Sequence, residues 1–468
     1  MRQRGIYFDS VVPGARRLHY DVPERSVPEV GSSMKTFVII WAGQLVSTLG
    51  SALTSFALGV WVYQTTGSPT LFATSMLAWV LPNLLLSPVA GVLADRWDRR
   101  LVMIFADTGA ALSSLFVVAM LFTGELQVWH VYMSGFFNAA FSTFQWPAYS
   151  AATAQLVPKQ HLGRAGGMTQ IGDAISHLAG PAIAGALFVT AGLKAVLAID
   201  VASYLVALAT LLSVRFPRPV RTSSGDDGKG PFLREAAYGW SVIRRMPGLL
   251  GLLMVFATAN FLMNITFPLY TPLILGITTV DKLGYLNSVG GLGMLVGTVI
   301  MSVWGGPKRR IRGILAAETL LGLTMLLFGL RLTIPLLAIN NFFFMIVTPI
   351  SSGCSQAIWQ TKISHAAQGR VFAIRRVLAF VAMPLAYAAS GPLAEQVFEP
   401  AMAEGGAWVP VFGRLVGTGP GHGIALMFVL AGALYMLAIL VIPLHPRIWR
   451  LELEIPDAQA DVAGIAVS

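Results

Sequence analysis

The chain has 468 residues, of which 55% are hydrophobic and only 12% charged, about half the charge of an ordinary soluble domain. That composition, with a mean hydropathy of +0.68, excludes a soluble enzyme, and the net charge of +10 requires no nucleic-acid partner because the basic residues gather in short turns between apolar runs. The single cysteine, Cys354, excludes an intrachain disulfide and falls inside an apolar run, as a buried, unreactive thiol would.

Residues 1–34 mix Arg, Asp, Pro, Gly and Ser without an apolar core. They read as a disordered cytoplasmic tail and not as a signal peptide. A membrane-spanning helix needs about 20 apolar residues. Twelve such runs follow, at 37–63, 71–94, 101–123, 128–149, 168–191, 196–214, 249–275, 285–304, 314–330, 334–359, 377–397 and 424–444. The expected fold is an all-α membrane protein, with twelve transmembrane helices in two pseudo-symmetric six-helix bundles. The bundles are expected at 35–215 and 248–445, and a cytoplasmic tail at 446–468.

Between spans two and three stands Gly91-Val92-Leu93-Ala94-Asp95-Arg96-Trp97-Asp98-Arg99-Arg100, a burst of charge between two apolar runs. A basic turn recurs half a chain later as Trp304-Gly305-Gly306-Pro307-Lys308-Arg309-Arg310. Gly163-Arg164 after span four matches Gly369-Arg370 after span ten, and Asp107 in span three matches Glu318 in span nine, all at offsets of 206 to 211 residues. Repeats of this kind are the signature of transporter folds.

Residues 216–247 interrupt the apolar pattern. The Thr222-Ser223-Ser224-Gly225-Asp226-Asp227-Gly228 stretch is a flexible linker composition. The stretch 232–245 then has apolar residues near helical spacing and basic ones elsewhere, which predicts an amphipathic helix on the inner membrane surface. Of the 32 Lys and Arg, all but Lys194, Lys282, Arg331 and Arg414 fall on one side if both termini are cytoplasmic. The excess of basic charge on that side fixes orientation and favours contact with anionic lipid. The longest outer loop, 399–422, has no ligand spacing for a metal.

The twelve-span layout with Gly-x-x-x-Asp-Arg-x-x-Arg-Arg between spans two and three resembles the major facilitator superfamily over roughly residues 35–446. Trp41-Ala42-Gly43-Gln44-Leu45-Val46-Ser47-Thr48-Leu49-Gly50 and Gln368-Gly369-Arg370-Val371-Phe372-Ala373-Ile374-Arg375-Arg376, leading to Ser390-Gly391-Pro392, resemble its exporter branch of siderophore exporters and macrolide efflux proteins. The resemblance implies that Asp95, Arg96, Arg99 and Arg100 latch the two bundles on the cytoplasmic side, against Arg375 and Arg376 at the start of span eleven. Asp98 stands where the superfamily motif usually has Gly, so it inherits no role. Gly172, Gly180, Pro181 and Gly185 in span five resemble part of the antiporter Gly-Pro motif, which points to export. Independently of any family, a proline inside a helix removes a backbone donor and kinks it, and glycines let a neighbour approach closely.

Ionisable groups within spans are costly and default to functional candidates. Asp173 and His177 are four residues apart and share a helix face, a natural pair for carrying a coupling proton. Asp107 and Glu318 are further candidates, although for these and Asp200 the plainer expectation is pairing with Arg or water near a span end. The substrate pocket is expected between the bundles near the midplane. Its candidate lining is Gln44, Asn138, Gln145, Trp146, Asn260, Asn264, Asn341 and Tyr387, with Phe261 as a further aromatic wall.

No phosphate-binding Gly-x-x-x-x-Gly-Lys-Ser/Thr loop, Gly-x-Ser-x-Gly element or His-Glu-x-x-His helix occurs. The expectation is therefore a transporter without cofactor or metal. It would be a monomer in the bacterial plasma membrane, exporting a small amphipathic organic molecule at the expense of a proton gradient. An importer or facilitator on the same fold, and a sensor or lipid-modifying membrane protein, are the competing readings.

Overall fold

The computed structural model describes residues 34–214, 232–330, 332–442 and 446–458. The expected disordered tail and the Ser/Gly linker therefore lie outside the described residues. Everything described is helical or turn, without strands.

The first bundle consists of α1 (Met34–Thr66), α2 (Pro69–Arg96), α3 (Arg99–Thr123), α4 (Val128–Leu156) and α5 (Leu162–Ser213). At 52 residues α5 is two spans, because Gly192 adopts φ 77° and breaks the helix. A left-handed φ costs glycine nothing, so a single residue turns the chain between spans five and six. Asp98 accepts from Arg100 N at 2.9 Å and so caps the start of α3, a local duty for the residue that departs from the family pattern.

Next comes α6 (Phe232–Arg244), the expected amphipathic helix. Its Gly239 sits so close to Arg370 that a Cβ would lie 2.6 Å from the Arg370 carbonyl oxygen. The second bundle is built from α7 (Pro247–Thr266), α8 (Tyr270–Ile277), α9 (Val280–Trp304), α10 (Arg310–Leu330), α11 (Ile334–Lys362), α12 (His365–Phe380) and α13 (Met383–Pro392). Span eleven ends in a π-helical segment, Leu393–Phe398. The expected outer loop holds α14 (Glu399–Met402) and α15 (Val409–Val416) before α16 (His422–Val441) closes the bundle. Ten helices among the described residues are long and apolar enough to cross a membrane. With α5 counted as two spans and the more polar, 29-residue α4 added, the bundles hold six spans each.

The expected C-terminal tail is docked, at least as far as residue 458. The short helices α17 (Pro446–Trp449) and α18 (Leu451–Glu454) return to the bundle, and Leu451 is fully buried. Glu452 accepts from Arg310 N at 3.0 Å and Ile311 N at 3.1 Å, satisfying the orphan donors of the α10 N-terminus. Lys362 donates to the Glu452 and Ile455 carbonyls and pairs with Asp457 at 2.9 Å.

The bundles touch each other at the end of the molecule opposite the basic turns. There α5 packs on α9, and α2 packs on α13. A Cβ on Gly284 would lie 2.5 Å from the Pro181 carbonyl oxygen, and one on Gly391 would lie 2.4 Å from Thr70 Cα. Only glycine allows this backbone approach, and close van der Waals packing is what holds helices together where lipid removes the hydrophobic drive.

Candidate functional site

The first bundle has a split core. One apolar cluster gathers Phe37, Met103, Tyr149 and Leu211, and another gathers Leu53, Val117, Ala184 and Leu197. Between them lies a polar layer around a cavity of about 280 Å³. Gln44 of α1 donates to Asp107 at 3.0 Å, and Gln145 of α4 donates to Asp107 at 2.9 Å and to Gln44 Oε1 at 2.8 Å. Asp107 is buried, and Gln145 Oε1 is buried with no hydrogen-bond partner. Trp146 and Asp173 stand on the same cavity wall. Asn138 donates to the Tyr204 hydroxyl at 3.1 Å, and that hydroxyl also meets Ser51 at 2.9 Å.

A larger cavity of about 550 Å³ lies in the second bundle. Glu318 of α10 is buried there and accepts from Ser351 of α11 and Tyr435 of α16. Ser351 follows Gln145 by the same 206 positions that separate Gly163 from Gly369. The half-chain repeat thus extends from the two acids to a partner of each. Asp200 is likewise buried and accepts from Ser114 at 2.8 Å. The expectation that these three acids pair with Arg is corrected: their protein hydrogen bonds among the described residues come from neutral amides and hydroxyls. The reason is depth for Asp107 and Asp200; Arg375 and Arg376 do line the Glu318 cavity, but Arg375 is held by Gln356 and Ser355.

Among the described side chains, the gate residues are not joined to one another. Arg99 donates to the Ala151 carbonyl at 3.3 Å, and Arg100 donates to the Leu211 and Leu212 carbonyls at 3.0 and 2.9 Å. Arg100 caps the C-terminal end of α5, where a cation suits the helix dipole, and Arg99 bonds within the last two turns of α4. Arg375 donates to Gln356 and Ser355 at 3.0 Å each and lies over the Trp359 ring at 5.0 Å, inside the second bundle. Arg376 lines the same cavity. The side chains of Asp95 and Arg96 lie outside the described ones.

A third cavity, about 290 Å³, lies between the bundles. The first bundle contributes Met76, His177 and Pro181, and the second contributes Tyr270, Asn341 and Phe428 among others. Asp173 and His177 therefore line different cavities, and no hydrogen bond or ion pair joins them. Span five runs unbroken through Pro181, since its only non-helical residue is Gly192. Gly172 and Gly180 face α1, whereas Pro181 and Gly185 face α9, so the four motif residues seat span five between two neighbours.

The remaining pocket candidates scatter. Asn260 lines the second-bundle cavity, and Asn264 donates to the Asn260 carbonyl at 2.7 Å in its own helix. Asn341 donates to the Leu286 carbonyl at 2.8 Å from the wall of the inter-bundle cavity. Tyr387 is buried and stacks on Phe267 with ring centroids 6.5 Å apart, while Phe261 is exposed. Sequence reasoning missed Tyr204, Tyr270, Ser351 and Tyr435, because hydroxyls within spans are too common to stand out. It also missed Glu395, which crosses the bundle interface: its carboxylate accepts from Ser68 Oγ at 2.6 Å and Thr70 N at 3.2 Å, at the start of α2.

Comparison with known proteins is consistent with this architecture. The sequence profile of the Major Facilitator Superfamily matches residues 40–387. The chain is 30% identical to macrolide efflux protein A of Streptococcus pyogenes over 437 residues, which cover 89% of this chain and 98% of that protein. It is 28% identical to an enterobactin exporter of Shigella flexneri over 126 residues, covering 27% of this chain and 31% of that one. In fold it is similar to a bacterial homologue of the human lysosomal transporter Spinster, in an inward-facing and unoccupied conformation. That match has a TM-score of 0.61 and 14% identity, over 86% of this chain and 96% of that one.

Proposed function

The chain belongs to the Major Facilitator Superfamily, and from that membership we propose that it is a proton-coupled exporter of a small amphipathic organic molecule in the bacterial plasma membrane. It works as a monomer by alternating access, with both termini in the cytoplasm. The similarity to a macrolide efflux protein over most of both chains supports export. The structure is read as the inward-facing state, because the bundles meet at the end opposite the basic turns. In the outward-facing state Asp95, Arg96, Arg99 and Arg100 meet the region of Arg375 and Arg376.

One observation carries the coupling reading. Asp107 is held by two amides on a cavity wall, and Gln145 Oε1 is left without a partner. Deprotonated Asp107 accepts from both amides. A protonated Asp107 becomes a donor, and the amides, turned over, can accept from it. The group thus offers satisfied arrangements in both protonation states, as a proton carrier needs. Glu318, with its two hydroxyl partners, is the corresponding acid of the other half. Asp173, on the same cavity wall as Asp107, relays protons to water, and His177 tunes the inter-bundle cavity.

Proteoliposomes containing the full chain test this. A labelled macrolide and other amphipathic compounds should accumulate against their gradient only when a pH gradient is imposed, and a protonophore should abolish it. Equilibration without accumulation would instead identify a facilitator.

A further inference from the structure

Two guanidiniums line the second-bundle cavity without a carboxylate to pair with them. Arg375 and Arg376 of α12 both reach it. Arg375 donates to Gln356 and Ser355 and lies over the Trp359 ring. Those contacts fix the plane of its guanidinium and leave further N–H donors unspent. Arg376 is exposed, and no hydrogen bond or ion pair engages it among the described residues.

The acid in the same cavity does not neutralise them. Glu318 is buried, and its carboxylate oxygens accept from Ser351 and Tyr435. Ser351 stands one turn of α11 before Ser355, which places the acid about 6 Å further along the helix from the guanidinium that Ser355 holds. Around the arginines the wall combines open aromatic and polar surface. Phe256, Phe372 and Phe380 line it and none of them is buried, and the side chains of Ser352 and Gln356 are exposed. Cations in a cleft with apolar walls concentrate anions, and a planar guanidinium meets a carboxylate or sulfonate through parallel hydrogen bonds. The other two cavities lack this chemistry. Asp107 and Asp173 line the one in the first bundle, and no Lys or Arg is among the described residues that line either.

We infer that the second-bundle cavity is a binding site for amphipathic organic anions, aromatic carboxylates or sulfonates, whose acid group takes Arg376 and Arg375 and whose ring lies against Phe372 and Phe380. All of its described lining comes from the second bundle, unlike that of the inter-bundle cavity. In the latch proposed above, the same two arginines meet the Asp95 turn when the inner end closes. A bound anion takes the place of that turn and holds the chain inward-facing. Only this consequence rests on the latch; the site itself is a matter of equilibrium binding.

Naphthoate and its neutral isostere naphthamide test it. Each is titrated in tritiated form against the full chain in phosphatidylcholine nanodiscs, with empty nanodiscs as the control for partition. Naphthoate should bind saturably and at least about tenfold more tightly than naphthamide. Arg376→Gln should weaken naphthoate roughly three- to tenfold and leave naphthamide unchanged, and Arg376→Lys should recover part of the loss. Arg309→Gln removes an equal charge from an exposed position outside the cavity and should change neither affinity. Equal binding of the two probes, no saturable naphthoate binding, or unaltered naphthoate affinity in Arg376→Gln overturns the inference. So does a loss in Arg309→Gln as large as that in Arg376→Gln, which would mark diffuse attraction to a basic face. Saturating naphthoate should also favour the shorter distance between spin labels at Gly67 and Gln396 in a Cys354→Ala background. Charge-dependent binding without that shift would keep the site and remove Arg375 and Arg376 from the latch.

Discussion

Glu395 of span eleven accepts a 2.6 Å hydrogen bond from Ser68, the residue that caps the first helix turn of span two in the other bundle. The same carboxylate oxygen accepts from Thr70 N at 3.2 Å. One acidic side chain thus completes the cap of a helix that its own bundle does not contain, and the anion faces the positive end of that helix. A π-helical segment, Leu393–Phe398, presents it there. Four residues on, Glu399 does the same for its own bundle, accepting from Gly421 N at 3.0 Å and Ile424 N at 2.9 Å at the start of α16.

If this contact helps to close the outer end, Glu395→Gln should release it. The site is exposed, so its worth is set at about 1 kcal/mol, a population shift of roughly fivefold. Distances between spin labels at Gly67 and Gln396, in a Cys354→Ala background, should show a larger open fraction. An unchanged distribution would leave Glu395 without a closing role.

Asp107→Asn keeps the shape of the acid, and its amide can still bond to Gln44 and Gln145, but it cannot titrate. Substrate exchange between two equal pools should continue at near the original rate. Accumulation driven by a pH gradient should fall at least about tenfold. A variant that loses exchange and accumulation together would mark Asp107 as a packing residue.

Asp173 and His177 line separate cavities, but one helix turn leaves their charges able to interact. In a double-mutant cycle with Asp173→Asn and His177→Gln, the coupling energy in transport should therefore stay below about 1 kcal/mol. Asp173→Asn should damage coupling, and His177→Gln should alter substrate affinity. A large coupling energy between the two sites would restore the proton-sharing pair expected from their spacing.

Orientation can be checked directly. With Cys354 replaced by Ala, a cysteine at Asp226 should be labelled by an impermeant maleimide only from the cytoplasmic side. One at Gly405 should react only from outside. Labelling of both from a single side would overturn the twelve-span topology with cytoplasmic termini.

The docked C-terminal segment makes a prediction about stability. Glu452→Ala removes the acceptor from Arg310 N and Ile311 N, a cap worth about 1 kcal/mol. Thermal unfolding of the purified protein should shift down by a few degrees. Transport at ambient temperature should change little, because among the described residues the segment packs against α7 and α10 of the second bundle. No loss of stability would mean that the tail rests there without supporting α10.

The number and order of the spans, the half-chain repeat and the amphipathic α6 were legible in the residues alone. Each is a local or periodic signal: about 20 apolar residues make a span, and a motif repeated at a fixed offset marks two similar bundles. Partnership is different. Ser68 and Glu395 are 327 positions apart, and no pattern in either stretch specifies the other. Asp173 and His177 show the limit of local spacing, since helical periodicity put them on one face while one turn of rise carried His177 beyond the edge of the Asp107 cavity. Asp107 and Glu318 looked like helix-end acids by counting along their runs, but the packing of neighbouring helices buried both among amides and hydroxyls. Tertiary structure decided these matters because a buried polar group takes its partner from whatever the adjoining span presents at its depth, and depth and adjacency are set only when the helices pack.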